Sequence, residues 1–296
     1  MMPSSRQGLP NLADKLCVIT GATSGIGRMA ALGLAASGAS LILIGRNERA
    51  GNDLLHRLRH RSPQARFEFV RTDLSRQADV RRLAAEITKS YDRIDILMNN
   101  AGARFDDYHE TSDGIELTFA TNHLGHFLLT CLLVEQLVNA SAARVVTVSS
   151  GSHSGASAQG DWFLRRADYD RRLAYAKSKL ANLMFAYELG RRLANTAVTS
   201  NAVDPGGVAT NFARNNGLVS WLRHLAAHAI RRNLASPRKG AETLVYLAAS
   251  EEVRGVTGKH FHGNREVASS AASHDREGAR RLWDLSLELT HASWVV

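Results

Sequence analysis

The sequence predicts an α/β fold: a doubly wound, mostly parallel sheet with helices on both faces. Three observations predict it. Short apolar runs alternate with longer amphipathic stretches along most of the chain. Those runs are apolar on successive residues, the pattern of strands covered on both faces. A glycine-rich turn directly follows the first run, which selects the nucleotide-binding version of such sheets.

The strand-like runs are Leu16–Thr20, Ser40–Gly45, Phe67–Arg71, Ile94–Asn99, Arg144–Ser149 and Ala197–Val203. The amphipathic stretches between them are Gly25–Ser37, Glu48–Arg61, Ser75–Tyr91, Thr111–Asn139 and Arg172–Ala194. Strand, helix, strand in repetition implies right-handed crossovers and therefore a parallel sheet. The rhythm breaks after Val203, where residues 205–237 carry no strand pattern and hold Gly206, Gly207, Asn215, Asn216 and Gly217. A helix over Arg238–Ser250, a short strand near Lys259–His262 and a helix over His274–His291 complete the chain. The expectation is a Rossmann fold of seven strands in the order 3-2-1-4-5-6-7. No linker separates two domains, so residues 1–296 read as one, with 1–11 a loose tail broken by Pro3, Gly8 and Pro10.

Composition excludes other classes. Hydrophobic residues are 44% and charged residues 22%, which excludes wholesale disorder. The cysteines are Cys17 and Cys131, too few for a disulfide framework and not spaced for zinc, so no metal site is expected. The N-terminus lacks the apolar core of a signal peptide, and the most apolar stretches, such as Phe127–Leu133, are too short to span a bilayer. A cytoplasmic protein is the expectation. The net charge is +9, from 31 Arg and 6 Lys against 28 acidic residues. The arginines are spread along the chain among Asp and Glu, without a nucleic-acid-binding signature, so no nucleic-acid partner is expected.

Two motifs carry chemistry. In Thr20-Gly21-Ala22-Thr23-Ser24-Gly25-Ile26-Gly27, Gly21 allows a tight turn, Gly25 lets a pyrophosphate approach the backbone, and Gly27 lets helix and strand pack closely. The helix that follows offers free N–H groups and a positive dipole end. In Tyr175-Ala-Lys-Ser-Lys179, positions four apart share a helix face, so the Lys179 ammonium can sit near the Tyr175 phenol and pull its pKa down. Further motifs fall at or near the carboxyl ends of strands, where open α/β sheets bind ligands. They are Asn99-Asn100-Ala101-Gly102, Ser149-Ser150 and Pro205-Gly206, with Asn122 on a helix leading to the same crevice.

Together, and in this order, these motifs resemble the short-chain dehydrogenase/reductase family over roughly residues 14–265. Thr111-Ser-Asp-Gly114-Ile-Glu116, Asn122-His-Leu-Gly-His-Phe-Leu-Leu129, the 24 residues between Ser150 and Tyr175, and Ser178-Lys-Leu-Ala-Asn182 resemble its retinol dehydrogenase-like branch. Protochlorophyllide reductases of that branch usually have a cysteine where Ala181 stands here. Asp204 stands where related enzymes often have His.

The resemblance implies a catalytic tetrad of Asn122, Ser150, Tyr175 and Lys179. It implies reversible hydride transfer between a nicotinamide and a carbonyl or alcohol carbon, with Tyr175 as acid/base. Ser150 would stabilise the substrate oxygen. Lys179 would hold the nicotinamide ribose, and Asn122 a water linking Lys179 to solvent. The cofactor-binding residues implied are Gly21, Thr23, Ser24, Gly25, Ile26, Gly27, Arg28, Arg46, Asp73, Leu74, Asn100, Ala101, Gly102, Tyr175, Lys179, Pro205, Gly206, Val208 and Thr210. Asp73 would accept from the adenine amino group, Asn100 would lie along the adenosine ribose and Thr210 near the nicotinamide amide. Dimers or tetramers through Thr111–Asn139 and Arg172–Ala194 are implied too. His123 and His126, on an apolar helix, read as packed side chains rather than catalysts. The alternative is a non-catalytic dinucleotide-sensing or scaffold protein on the same fold, which would be expected to lack Tyr175 or Lys179.

Cofactor preference and substrate follow from local chemistry. An NAD enzyme of this fold ends its second strand on an acid; here Leu43-Ile44-Gly45-Arg46-Asn47 has none. Arg46 can fork onto a 2′-phosphate, with Arg28 as a second cation, so NADP(H) is expected over NAD(H). In residues 206–237, Trp221, Leu222, Leu225, Ala226, Ala229 and Ile230 recur at helical spacing, with Arg223, His224, His228, Arg231 and Arg232 largely on other faces. That basic amphipathic segment reads as a lid over a bulky lipophilic carbonyl substrate. A helix packed on the domain and a peripheral membrane contact are its other readings.

Overall fold

The computed structural model describes residues 10–208 and 235–296. Strands β1 (Leu16–Thr20), β2 (Ser40–Gly45), β3 (Phe67–Arg71), β4 (Ile96–Asn99), β5 (Arg144–Val148), β6 (Thr199–Val203), β7 (His260–His262) and β8 (Arg265–Glu266) form one sheet in the order β3-β2-β1-β4-β5-β6-β7-β8. All neighbours are parallel except β7 and β8. The order matches the expectation, with one strand added. Gly263 (φ 56°) and Asn264 (φ 62°) make the two-residue left-handed turn that closes the β7–β8 hairpin. Gly-Asn after a strand is a signal for such a turn, so β8 was legible and was missed.

Alternation along the strands builds two cores. On one face Cys17, Ile19, Leu41 and Leu43 pack against α1 (Gly25–Ala36), α2 (Glu48–Arg61) and α8 (Pro237–Ala249). On the other, Val18, Ile42, Ile44 and Leu97 pack against α3 (Gln77–Ser90), α5 (Gly125–Leu132), α7 (Arg171–Arg192) and α9 (Arg276–Thr290). There Phe127, Phe185 and Trp283 meet ring to ring, at centroid separations of 5.0–5.9 Å. No helix among the described residues is long and apolar enough to cross a membrane.

The helix expected over Thr111–Asn139 is instead a broken run. It starts at α4 (Leu117–Phe119), because the Glu116 carboxylate caps it by accepting from Thr118 N and Phe119 N. Before it, Gly114 takes φ 75° in a turn. Residues Ala120–Leu124 widen into a π-helical turn, and α5 gives way at Leu133 to α6 (Val134–Val138). Thr210 and residues 209–234 of the expected lid, including Trp221, Leu222 and Leu225, lie outside the described residues. The flanks of that segment meet: Val208 and Ala235 form a parallel bridge beside α8.

Candidate active site

The turn after β1 is shaped by its glycines. Gly21 (φ 67°) and Gly25 (φ 54°) occupy left-handed backbone that other residues rarely adopt. A Cβ on Gly27 would sit 2.4 Å from Asn100 Nδ2 and 2.5 Å from the Gly21 carbonyl oxygen. Ser24 precedes α1 without capping it through its side chain, and the first turn holds no acidic residue. The N–H groups of that turn are thus available to an anion.

Thr20 ties this turn to the end of β4. Its Oγ1 accepts from Asn100 N (2.9 Å) and Ala101 N (3.0 Å), while Asn100 Nδ2 donates to the Thr20 carbonyl (2.8 Å). Next along the chain, Asn122 grips Ala103: its Oδ1 accepts from Ala103 N (2.7 Å), and its Nδ2 donates to Ala103 O (2.9 Å) and to Ser178 Oγ (2.9 Å). Asn122 lies in the π turn, and such turns recur at functional sites. A Cβ on Gly125, in the same motif, would lie 2.4 Å from the Leu74 carbonyl oxygen, so the glycine brings α5 against the loop after β3.

The two serines ending β5 divide the work. Ser149 is buried and donates to the Lys179 carbonyl (2.8 Å), pinning α7 to the sheet. Ser150 lines the cleft with Tyr175, and its hydroxyl acts to lower the Tyr175 phenol. Lys179 Nζ donates to Val148 O (3.1 Å) and stands 5.7 Å from the centre of the Tyr175 ring. Helical spacing puts Tyr175 and Lys179 on one face of α7, and the docking of α7 on the end of β5 puts Ser150 in the same cleft.

A cleft of about 2060 Å³ runs along the carboxyl ends of the strands. Gly21, Thr23, Ser24, Gly25, Ile26, Gly27, Arg28, Arg46, Asp73, Leu74, Asn100, Ala101, Gly102, Ser150, Tyr175, Lys179, Pro205, Gly206 and Val208 all line it. Asn122 does not; it is fully buried and acts through the backbone it holds. Asp73 is half-buried, and its Oδ1 is engaged by the Ser75 N–H and hydroxyl. The sequence reading missed Arg104, Asp106 and Arg171, which also line the cleft. Their signal was their position just after Gly102 and one helical turn before Tyr175.

Electrostatics correct one expectation. Burial pushes the Tyr175 phenol up to about 12, the opposite direction from the expected pull by Lys179. Ser150 and Arg104 draw it down and Asp204 raises it. Burial also lowers Lys179 to about 8, with Asp204 acting in the other direction. His123 and His126 are packed and neutral, lowered by burial to about 4 and about 3. The glycine turn, the open helix N-terminus and the arginines at the far end fit a phosphorylated dinucleotide. The Ser150–Tyr175 pair fits proton exchange with an oxygen.

Comparison with known proteins agrees with this geometry. Residues 15–218 match the family model for short chain dehydrogenases. Human retinol dehydrogenase 14 is 38% identical over 298 residues, covering 95% of this chain and 88% of its own. A crystal structure of an uncharacterized protein from Mycobacterium paratuberculosis superposes with a TM-score of 0.76 at 32% identity, covering 97% of both chains. The Pseudomonas aeruginosa RhlG/NADP active-site complex superposes with a TM-score of 0.68 at 26% identity, covering 85% of this chain and 96% of that one.

Proposed function

The chain belongs to the short-chain dehydrogenase family and is an oxidoreductase of carbonyl and alcohol groups; from that premise we propose that it uses NADP(H), with Tyr175 as acid/base, on a bulky lipophilic substrate. The observation that carries the reading is that Ser150, Tyr175 and Lys179 line one cleft whose other end is a glycine turn.

The nicotinamide, when bound, supplies or accepts hydride. The chain's own residues do the rest. Tyr175 holds a proton on its phenol oxygen, gives it to the carbonyl oxygen in reduction and takes it back in oxidation. Ser150 donates to that same oxygen and stabilises the charge it gains. Lys179, whose bond to Val148 O uses one of three N–H donors, holds the nicotinamide ribose hydroxyls with the others. Asn122 fixes the backbone at Ala103 and the start of the Tyr175 turn through Ser178.

The turn Gly21–Gly27 would hold the pyrophosphate, Asp73 the adenine amino group, and Pro205, Gly206, Val208 and Thr210 the nicotinamide. Arg46 and Arg28 support NADP(H) over NAD(H), because both line the cleft and β2 ends without an acid. The RhlG complex with NADP adds support from a related fold. A lipophilic substrate is supported by the apolar stripe of residues 218–232 and by the name of the retinol dehydrogenase relative. A cytoplasmic location and self-association are parts of the proposal that cell fractionation and size-exclusion chromatography test.

Stereospecific transfer of deuterium from labelled NADPH to a panel of ketones, aldehydes and retinoids tests the whole reading. Tight NADPH binding without transfer to any of them favours the dinucleotide-sensing alternative.

A further inference from the structure

Ser150 follows β5 in extended backbone, and within its own turn its hydroxyl makes only long contacts, to Ser152 N (3.3 Å) and Ser152 Oγ (3.4 Å). Where that hydroxyl points is therefore set by the peptide that carries it. The carbonyl of that peptide is held twice by one residue: it accepts from His153 N (3.0 Å) and from His153 Nδ1 (2.7 Å). The far side of the ring is held as well, since Nε2 accepts from Ser270 N at 3.1 Å. A carbonyl can only accept and a backbone N–H can only donate, so one tautomer, with the proton on Nδ1, serves both ends. The ring is buried and packs edge-on against His260 of β7, with centroids 5.4 Å apart.

Ser270 is itself anchored. Its carbonyl accepts from Ser273 N (3.0 Å) and Ser273 Oγ (2.6 Å), and the neighbouring Ser269 hydroxyl pairs with Tyr187 Oη at 2.9 Å. Tyr187 belongs to α7, the helix that carries Tyr175 and Lys179. Ser149 meets the same helix at the Lys179 carbonyl. The His153 ring thus closes a frame between the end of β5, the segment after β8 and α7. His153 does not line the cleft, and of the residues it bonds, Ser150 alone does.

We propose that His153 is a positioning residue for the reaction: gripping the Ser150 carbonyl from Nδ1 and the Ser270 N–H from Nε2, it fixes the aim of the Ser150 hydroxyl at the substrate oxygen. The proposal rests on the oxidoreductase reading, in which Ser150 donates to that oxygen, and extends it one residue beyond the cleft wall. A donor displaced by about 1 Å from the charge it stabilises can cost on the order of 100-fold in rate.

Two substitutions separate the ends of the ring. The asparagine amide nitrogen stands as many bonds from Cα as Nδ1, so His153→Asn keeps a donor for the Ser150 carbonyl and strands the Ser270 N–H. The glutamine amide oxygen stands as many bonds away as Nε2, so His153→Gln keeps the acceptor for Ser270 and loses the donor to Ser150. With NADPH and retinal, His153→Gln should lower kcat by ~10-fold or more with KM for NADPH little changed, and His153→Asn should keep most of the wild-type rate. Thermal midpoints should run the other way, with His153→Gln above His153→Asn, because only the latter buries an unpaired N–H. A role confined to holding the fold makes activity follow the midpoints, so His153→Asn no more active than His153→Gln overturns the proposal. In a Ser150→Ala background, His153→Gln should change kcat by less than ~2-fold, since the hydroxyl it aims is gone, and an undiminished further loss also overturns it. Normal turnover in Ser150→Ala overturns the proposal together with the role of Ser150, and leaves hydride transfer standing. Retinal left unreduced by the wild type counts against the lipophilic-carbonyl reading instead, and crystal structures of the two variants then decide the positioning. A Ser150 peptide turned in His153→Gln and unmoved in His153→Asn supports it; any other pattern overturns it.

Discussion

The Thr20 hydroxyl donates to His126 Nε2 at 2.9 Å. The direction follows from the ring's other side: His126 Nδ1 faces the Asn122 carbonyl at 2.9 Å, and a carbonyl can only accept. Nδ1 therefore carries the proton of this neutral ring, and Nε2 accepts. The Thr20 oxygen, having donated to His126, accepts from the Asn100 and Ala101 N–H groups. One buried hydroxyl thus joins β1, the end of β4 and the π turn that carries Asn122.

That saturation predicts an asymmetric pair of variants. Thr20→Val preserves shape but strands the Asn100 and Ala101 N–H groups and the His126 ring, at about 1–3 kcal/mol for each buried group left unpaired. Thr20→Ser keeps the hydroxyl and should retain most of the stability. Urea denaturation of both variants checks this, and equal midpoints would refute the role given to the hydroxyl.

Tyr175→Phe removes only the phenolic oxygen. Turnover should fall by at least ~100-fold, within the range of general acid catalysis, with NADPH affinity little changed. Lys179→Ala should lower both, because Lys179 is the proposed ribose anchor. Steady-state kinetics with fluorescence titration of NADPH separate the two effects. Normal turnover in Tyr175→Phe would remove the proposed mechanism.

Arg46 should set cofactor choice. The wild type should prefer NADPH to NADH by ~10-fold or more in kcat/KM, and Arg46→Ala should erase most of that ratio while leaving NADH use nearly intact. A ratio unchanged by the substitution would move the 2′-phosphate contact elsewhere, with Arg28 the next position to test.

Asp204 should shape the pH profile. A phenol near 12 is fully protonated at neutral pH, so reduction starts with its proton loaded and should vary little between pH 6 and about 7. Oxidation needs the proton-free phenol, so its rate should climb with pH. Asp204 raises both Tyr175 and Lys179, so Asp204→Asn should move the rising limb of the oxidation profile toward lower pH. Asparagine keeps an oxygen for the Gly206 N–H, which limits structural change. A limb that stays put or moves upward contradicts this electrostatic role.

Much of the fold was legible because its signals are local. Unbroken apolar runs such as Leu41–Ile44 specify strands buried on both faces, and the order of runs and amphipathic stretches specifies the crossovers. Glycine spacing after β1 and the four-residue step from Tyr175 to Lys179 depend only on turn and helix geometry, so they carried over into the cleft. Long-range packing supplied the rest. By residue type Ser149 and Ser150 are the same; their roles separate because the Ser149 hydroxyl is buried against α7 and spent on the Lys179 carbonyl, while Ser150 stays partly exposed in the cleft. The π turn at Asn122 interrupts what periodicity presents as one long helix. The sign of the Tyr175 shift was misread because proximity to Lys179 is local, whereas desolvation is exerted by every segment around the phenol at once. Arg104, Asp106 and Arg171 look like three ordinary surface charges in the chain. They become a cluster only when the loop after β4 meets the start of α7, a juxtaposition set by two strands and a crossover rather than by neighbouring residues.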